Sequence, residues 1–179
     1  MVLLLLVSAS SWGSSFPRQY DDYFKAAEKY LPPGMTWEQL KAQCYQESRL
    51  NPKARSPVGA QGLCQFMPGT WKEMMKHGLN NPWNPKQSIR AAAIYMSYQF
   101  RFWSSKRPWL DRSKLATANY NAGGGNLLKA QRKCLDKALY DEIIACLPDI
   151  TGHHSKETID YVYLIHHKWL PAILADYRG

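Results

Sequence analysis

Several features are scarce in this 179-residue chain, and each scarcity removes a class of protein. No apolar run reaches the roughly 20 residues that a membrane-spanning helix needs; the run at Val2–Val7 holds six. Strand-like alternation is nearly absent, so the fold class is mainly α. No internal repeat, low-complexity tract or interdomain linker interrupts the chain, which leaves one domain of ordinary size. Acidic residues are few, 14 against 23 Lys and Arg, so the surface is drawn to polyanions. Nucleic acid is one such partner; a bacterial envelope with its carboxylates and phosphates is another.

Motifs for metals and for DNA are missing too. Neither H-E-x-x-H nor a Cys/His ligand spacing accompanies the pairs His153-His154 and His166-His167. The first pair reads as loop before a helix cap. The second falls on a late helical turn, where cationic His suits the dipole, so both read as surface histidines and neither a metal nor a cofactor is expected. Lys and Arg are scattered singly or in pairs and form no stripe along a helix, which argues against a nucleic-acid partner. Four cysteines, Cys44, Cys64, Cys134 and Cys146, occur without a C-x-x-C pair. Two readings stand. Export would permit disulfides, with Cys134 and Cys146 closing a short loop; alternatively all are buried thiols acting as small apolar side chains. A mass measured with and without reductant separates them.

The run at Val2–Val7 resembles a secretory h-region followed by small residues, Ser8–Ser10, where cleavage could fall, although no Lys or Arg precedes it. Residues 1–15 are therefore expected to be a signal-like segment and residues 16–179 the working domain. No Cys follows the run, which argues against a lipoprotein anchor.

Aromatic residues, by contrast, are plentiful: seven Trp and eleven Tyr in a chain that is 45% hydrophobic, enough to enclose a real core. The spacing predicts short helices punctuated by Pro and Gly. Thr36 with Gln39 reads as a capping box opening one helix. Asn84 and Pro85 open another, which buries Ile89, Ala93, Met96, Phe100 and Trp103. A helix over Ser113 to Tyr120 stops at the glycines of "NAGGGN". A shorter piece covers Leu139 to Ala145, and Ser155 is expected to cap the last helix.

In the first of these helices Trp37, Leu40 and Cys44 mark one face. The same spacing carries Glu47 and Ser48 onto that face, near the helix C-terminus. Desolvation and the negative end of the helix dipole both disfavour a carboxylate there. Glu47 is thus expected to hold its proton near neutral pH, as a general acid must. A buried glutamate paired with Arg49 or Arg55 is the other reading of the same pattern.

Further stretches complete a pattern. "ES" at Glu47-Ser48 is followed by "NPKARSPVGAQGLCQFMPGTW", "YNAG" at Tyr120 to Gly123, and "ET" with Tyr161 three positions beyond Thr158. In this order the motifs resemble the soluble lytic transglycosylase family, lysozyme-like enzymes that cleave peptidoglycan. The likeness spans about Met35 to Leu170. It implies a lysozyme-like domain whose groove is formed by helix ends and loops. Glu47 would be the single catalytic acid and base. Ser56, Gln65, Met67, Tyr120 and Asn121 would line the glycan groove or orient Glu47, with Glu157 and Tyr161 supporting from the last helix.

Two positions depart from the family pattern: Cys64 stands where Met or a similar residue is usual, and Asn119 replaces a small apolar residue. The implied reaction cleaves the bond from N-acetylmuramic acid to N-acetylglucosamine and leaves a 1,6-anhydro end. Hydrolysis of the same bond, or a glycan-binding part in a virion or secretion machine, are the alternatives. The implied partner is the peptidoglycan strand. The implied setting is the periplasm or cell envelope, reached by export or on a phage particle, with the chain a monomer in isolation.

Overall fold

The computed structural model describes residues 16–178; the signal-like segment lies outside them. Helix α1 (Asp21–Ala27) runs into a 3₁₀ turn, Glu28–Tyr30, and is followed by α2 (Trp37–Ser48) and α3 (Pro68–Met75). Then come α4 (Pro85–Phe102), α5 (Trp109–Ala122), α6 (Gly124–Lys133), α7 (Tyr140–Ile144) and α8 (Pro148–Thr151). The chain closes with α9 (His154–Tyr163), a π-helical segment at Leu164–Trp169, and α10 (Leu170–Arg178). Among the described residues strand pairing is limited to isolated bridges, Arg55 with Gln61 and Gln61 with Phe66. The mainly helical expectation holds.

α2 is the pillar of the molecule. Every residue from Gln39 to Cys44 is buried. Cys44 and Leu40 face a core with Phe24, Phe66, Ile89 and Met96, whereas Ala42 faces a second core with Leu115, Leu127, Val162 and Ile165. A helix buried on all sides must satisfy its polar side chains internally. Lys41, fully buried, donates through Nζ to Asp21 Oδ1 and to Tyr177 Oη, each at 2.6 Å, tying α1 and α10 to α2. Gln39 Nε2 donates to Ser113 Oγ on α5 at 2.8 Å.

The capping box is therefore not formed. Gln39 is occupied by Ser113, and the Thr36 side chain makes no cap bond. Glu28, from the preceding turn, accepts the Trp37 N–H instead at 3.3 Å. The Asn84 cap is present, its Oδ1 accepting the Gln87 N–H at 3.1 Å, and α4 buries the expected face from Ile89 to Phe100, with Trp103 just beyond.

Other boundaries shift. α5 begins at Trp109, four residues before Ser113, because its first turn exposes Trp109 and Leu110 and carries no apolar stripe. α5 ends at the glycines as expected, at Gly123 with φ +77°, but that residue is the only break and Gly124 and Gly125 already open α6. Ser155 sits inside the first turn of α9, its hydroxyl donating to Gly152 O at 2.7 Å, and is not the cap. The expected single last helix passes through a widened turn. Pro171 lacks the N–H that would bond the His167 carbonyl, and the π-helical segment ends just before it.

The histidine reading also changes. His166 is half-buried with Nε2 at 3.2 Å from Thr117 Oγ1, and burial, aided by Lys114 and His167, pushes it down to about 4. It is a neutral packing residue, not a surface cation.

Both pairs of cysteines are bonded, Cys134 to Cys146 and Cys44 to Cys64. The second bond fastens the irregular loop over residues 51–67 to the last turns of α2. Gly62 lets that loop lie close: a Cβ there would stand 2.1 Å from Pro82 O, at φ +76°. Closing a loop of 20 residues stabilises by about 3 kcal/mol through chain entropy. Cys44→Ala combined with Cys64→Ala should lower the denaturant-unfolding free energy by about that amount, and an unchanged midpoint would refute the staple.

Candidate active site

Glu47 occupies the last turn of α2. The helix stops at Ser48, and Arg49 and Leu50 just beyond it both adopt positive φ, 56° and 62°. This left-handed exit is unusual for bulky side chains and turns the chain sharply into the loop. Ser48 fixes the corner: its hydroxyl donates to Leu63 O at 2.7 Å and accepts the Asn51 N–H at 3.0 Å.

Across from α2, α9 contributes Tyr161, 5% exposed, whose hydroxyl donates to Glu47 Oε1 at 2.5 Å. The neighbouring Gln46 is held from the π-helical segment, Trp169 Nε1 donating to its Oε1 at 2.6 Å. Behind Glu47 stands Tyr120, in edge contact with Phe66 and Tyr95, with its hydroxyl donating to Cys64 O at 2.9 Å. Two tyrosines thus lock the carboxyl's surroundings from different helices, one directly and one through the disulfide loop.

Glu47 opens onto a cavity of about 310 Å³ lined also by Gln46, Asn121, Glu157, Asp160, Tyr161 and Leu164. A second cavity of about 410 Å³ shares Asn121 and Glu157 and extends to Asn126, Ile150 and His154. Together they form a polar cleft along α9. Asn121 bridges its walls: Oδ1 accepts from Thr158 Oγ1 at 2.7 Å, and Nδ2 donates to Glu157 Oε1 at 3.3 Å. A larger cavity, about 620 Å³, lies at the opposite end of α5 and contains none of these groups.

Although solvent reaches part of Glu47, burial raises its carboxyl from 4.5 to about 8. The negative charge of Glu157 adds to the rise, and the Tyr161 hydrogen bond opposes it. Tyr161 and Tyr120 are pushed well above the ordinary phenol range by burial and by the nearby Glu47, so both remain hydrogen-bond donors. Neither Arg49 nor Arg55 pairs with Glu47: Arg49 donates to Tyr45 O at 3.0 Å and stacks on Tyr45 and Trp169. Among the described residues no group of three or more His, Cys, Asp or Glu is arranged to hold a metal ion.

Of the residues singled out in the sequence, Glu47, Asn121, Glu157 and Tyr161 meet at the cavity. Ser56 and Gln65 turn inward on their own loop. Ser56 Oγ accepts the Ala60 N–H at 2.9 Å, and Gln65 Nε2 donates to Ala54 O and Gly62 O at 3.0 and 2.8 Å. Met67 precedes α3, 43% exposed, away from the lining of this cavity. The sequence reading passed over Gln46, Asp160 and Leu164. The last two follow Glu157 at three and seven positions on one helical face, a spacing that would have found them.

A family model described as the transglycosylase SLT domain matches residues 23–142. That is more than half of the chain. It belongs to the transglycosylase SLT domain family. Membrane-bound lytic murein transglycosylase F from Alcanivorax borkumensis is 38% identical over 112 residues, 63% of this chain and 23% of that protein. The protein of the same name from Maricaulis maris is 31% identical over 154 residues, 84% of this chain and 33% of its own length. Among solved structures, the 70 kDa soluble lytic transglycosylase from Escherichia coli superposes with a TM-score of 0.67 at 29% identity, over 91% of this chain and 24% of that one. An inactive Glu→Gln mutant of lytic transglycosylase Slt from Pseudomonas aeruginosa gives 0.62 at 30% identity, over 88% and 25%. The chain therefore spans about a quarter of the length of the first of these relatives. The lysozyme-like helical fold is that of the family. Glu157 and Tyr161 lie beyond the matched segment, so α9 completes the cleft from outside it.

The raised carboxyl has a consequence for stability. Unfolded, Glu47 titrates near 4.5; folded, near 8. Between those values the folded state holds a proton that the unfolded state has released, so stability falls as pH rises through the window. Glu47→Gln cannot release that proton. Urea unfolding should show the variant gaining on the wild type from pH 4.5 to pH 8; a constant gap would mean an ordinary carboxyl.

Proposed function

We propose that the chain is a peptidoglycan lytic transglycosylase that cleaves between N-acetylmuramic acid and N-acetylglucosamine. Residues 16–179 form its catalytic domain. The observation that carries this reading is the place of the Glu47 carboxyl, held by the Tyr161 hydroxyl at an open cleft where burial favours its protonated form. Glu47 delivers its proton to the glycosidic oxygen as the bond breaks. Removal of that proton exposes a carboxylate that the Tyr161 hydroxyl stabilises at once through the hydrogen bond already in place.

Most glycosidases employ a second carboxylate. Glu157 and Asp160 line the same cavity, but both are exposed, Glu157 accepting from Asn121 and Asp160 pairing with Lys156. The 2-acetamido group of the substrate can take the place of a second carboxylate by steadying the positive anomeric centre. Glu47, now the base, removes the proton of the C6 hydroxyl on the same sugar. That oxygen closes the ring and a 1,6-anhydro end results, with no water consumed and no metal or cofactor required. Asn121, Glu157 and Tyr120 hold the walls around the reacting sugars. Met67 stands exposed beyond them as an outer glycan contact, whereas Ser56 and Gln65 act through the shape of their loop.

The setting follows from chemistry. Two disulfides persist in an oxidising compartment such as the bacterial envelope, where the substrate lies. No described helix is long and apolar enough to cross a membrane. The similarity to proteins named membrane-bound lytic murein transglycosylase supports the same placement.

On purified peptidoglycan, Glu47→Gln should keep the fold and lose cleavage by about 10³-fold, the usual scale of general acid catalysis. Retained activity would remove Glu47 from its role. Mass spectrometry of the wild-type products should show ends one water lighter than hydrolysis leaves; ends of full hydrolytic mass would assign a muramidase instead.

A further inference from the structure

The cavity of about 620 Å³ at the N-terminal end of α5 has no part in the reaction above. It is lined by Trp109, and the cleft by Asn121, twelve residues on, so about 18 Å of helix separates the two. Its composition is one-sided. Lys29, Arg101, Arg107 and Arg112 all contribute to the lining, and no Asp or Glu does. Among the described residues none of these cations forms an ion pair. In most proteins such a gathering would be relieved by interspersed carboxylates.

Two of the three guanidinium groups are also held in place. Arg112 Nε donates to Phe100 O at 2.8 Å while its plane stacks 4.2 Å from the Phe100 ring. Arg107 Nε donates to Ser105 O at 3.2 Å and its plane lies 5.0 Å from Trp103. Each is thus anchored through its Nε–H, which leaves the terminal fork of Arg112 to an oxyanion. Arg107 Nη1 is buried and has no hydrogen-bond partner, so the guanidinium in this wall carries an unmet donor. Asp111, whose charge also acts on Arg107, lies outside the lining and accepts the Tyr140 N–H at 2.8 Å.

The opposite wall is apolar: Tyr30, Leu31, Pro32, Pro33 and Trp109. Trp109 is fixed there by its Nε1–H donating to Pro33 O at 2.9 Å, over a glycine whose Cβ would stand 3.1 Å from that nitrogen. A bare phosphate would leave this wall and most of the volume unused. A flat anionic bilayer would not enter a recess. An acidic peptide fits both walls, carboxylates against the guanidinium forks and small apolar side chains against Trp109 and the prolines.

We propose that the recess between Lys29, Arg101, Arg107, Arg112 and the Tyr30–Trp109 wall is a second binding site, specific for a short peptide bearing free carboxylates beside small apolar side chains. The peptide stems of peptidoglycan belong to this class, a link that rests on the proposed function; the binding itself does not.

Isothermal titration calorimetry with N-acetyl-Ala-Glu-Ala, its fully amidated Ala-Gln-Ala analogue and inorganic phosphate tests the site. The acidic peptide should bind saturably at one site, and the amidated analogue should not. Arg101→Gln with Arg107→Gln should weaken binding by about tenfold or more, whereas the charge-matched pair Lys72→Gln with Lys133→Gln, exposed and outside the lining of the recess, should not. Lys29→Gln, at an exposed position, repeats the test if the arginine pair lowers the thermal midpoint. Glu47→Gln should bind as the wild type does, so loss of the catalytic reading leaves this result intact. Absence of saturation, equal loss in both charge-matched pairs, or phosphate binding as tightly as the peptide would each overturn the proposal.

Discussion

The contact between the Tyr161 hydroxyl and the Glu47 carboxyl is the point on which the rest of the molecule converges. It joins the end of α2 to α9 across the boundary between two cores. A carboxyl there is costly, because the anion is poorly solvated and faces Glu157. Only a rigid frame can keep such a group in position. The Cys44–Cys64 bond, the Ser48 corner, the Tyr120 clamp on Cys64 O and the Trp169–Gln46 bond each supply part of that frame. They come from different segments of the chain, so a shift in one is resisted by the others.

The same logic explains why α2 is so polar for a buried helix. Its Lys41 and Gln39 reach α1, α5 and α10, and so orient the helix that carries Glu47 by directed bonds as well as packing. Apolar packing alone tolerates sliding and repacking. Buried ion pairs and amide bonds do not, since breaking one leaves an unpaired polar group. Precision at the cleft is thus obtained at the opposite end of the helix. α5 works likewise as a spacer, with the acid cleft near its C-terminal end and the cationic recess at its start.

Much of this was legible in the chain. The apolar spacing of Trp37, Leu40 and Cys44 exposed Glu47 as an intruder on a buried face, because burial and periodicity are the same physical fact. The α4 cap and its core face were equally plain, both being local. What failed was long-range. Gln39 pairs with Ser113, and Glu28 supplies the cap that Thr36 was expected to give, neither of which follows from spacing. His166 looked like a surface cation because its neighbours on α5 are 49 positions away in sequence. Ser56 and Gln65 matched family motifs, yet their polar groups hold the loop together, a role that no list of residue types distinguishes from substrate contact.

The central claim is that Glu47 keeps its proton at neutral pH in the folded protein. The direct measurement is an NMR titration of its side-chain carboxyl carbon, assigned by comparison with Glu47→Gln. The account predicts a midpoint near 8. A midpoint at the ordinary 4.5 would contradict it and remove the proposed acid role from Glu47.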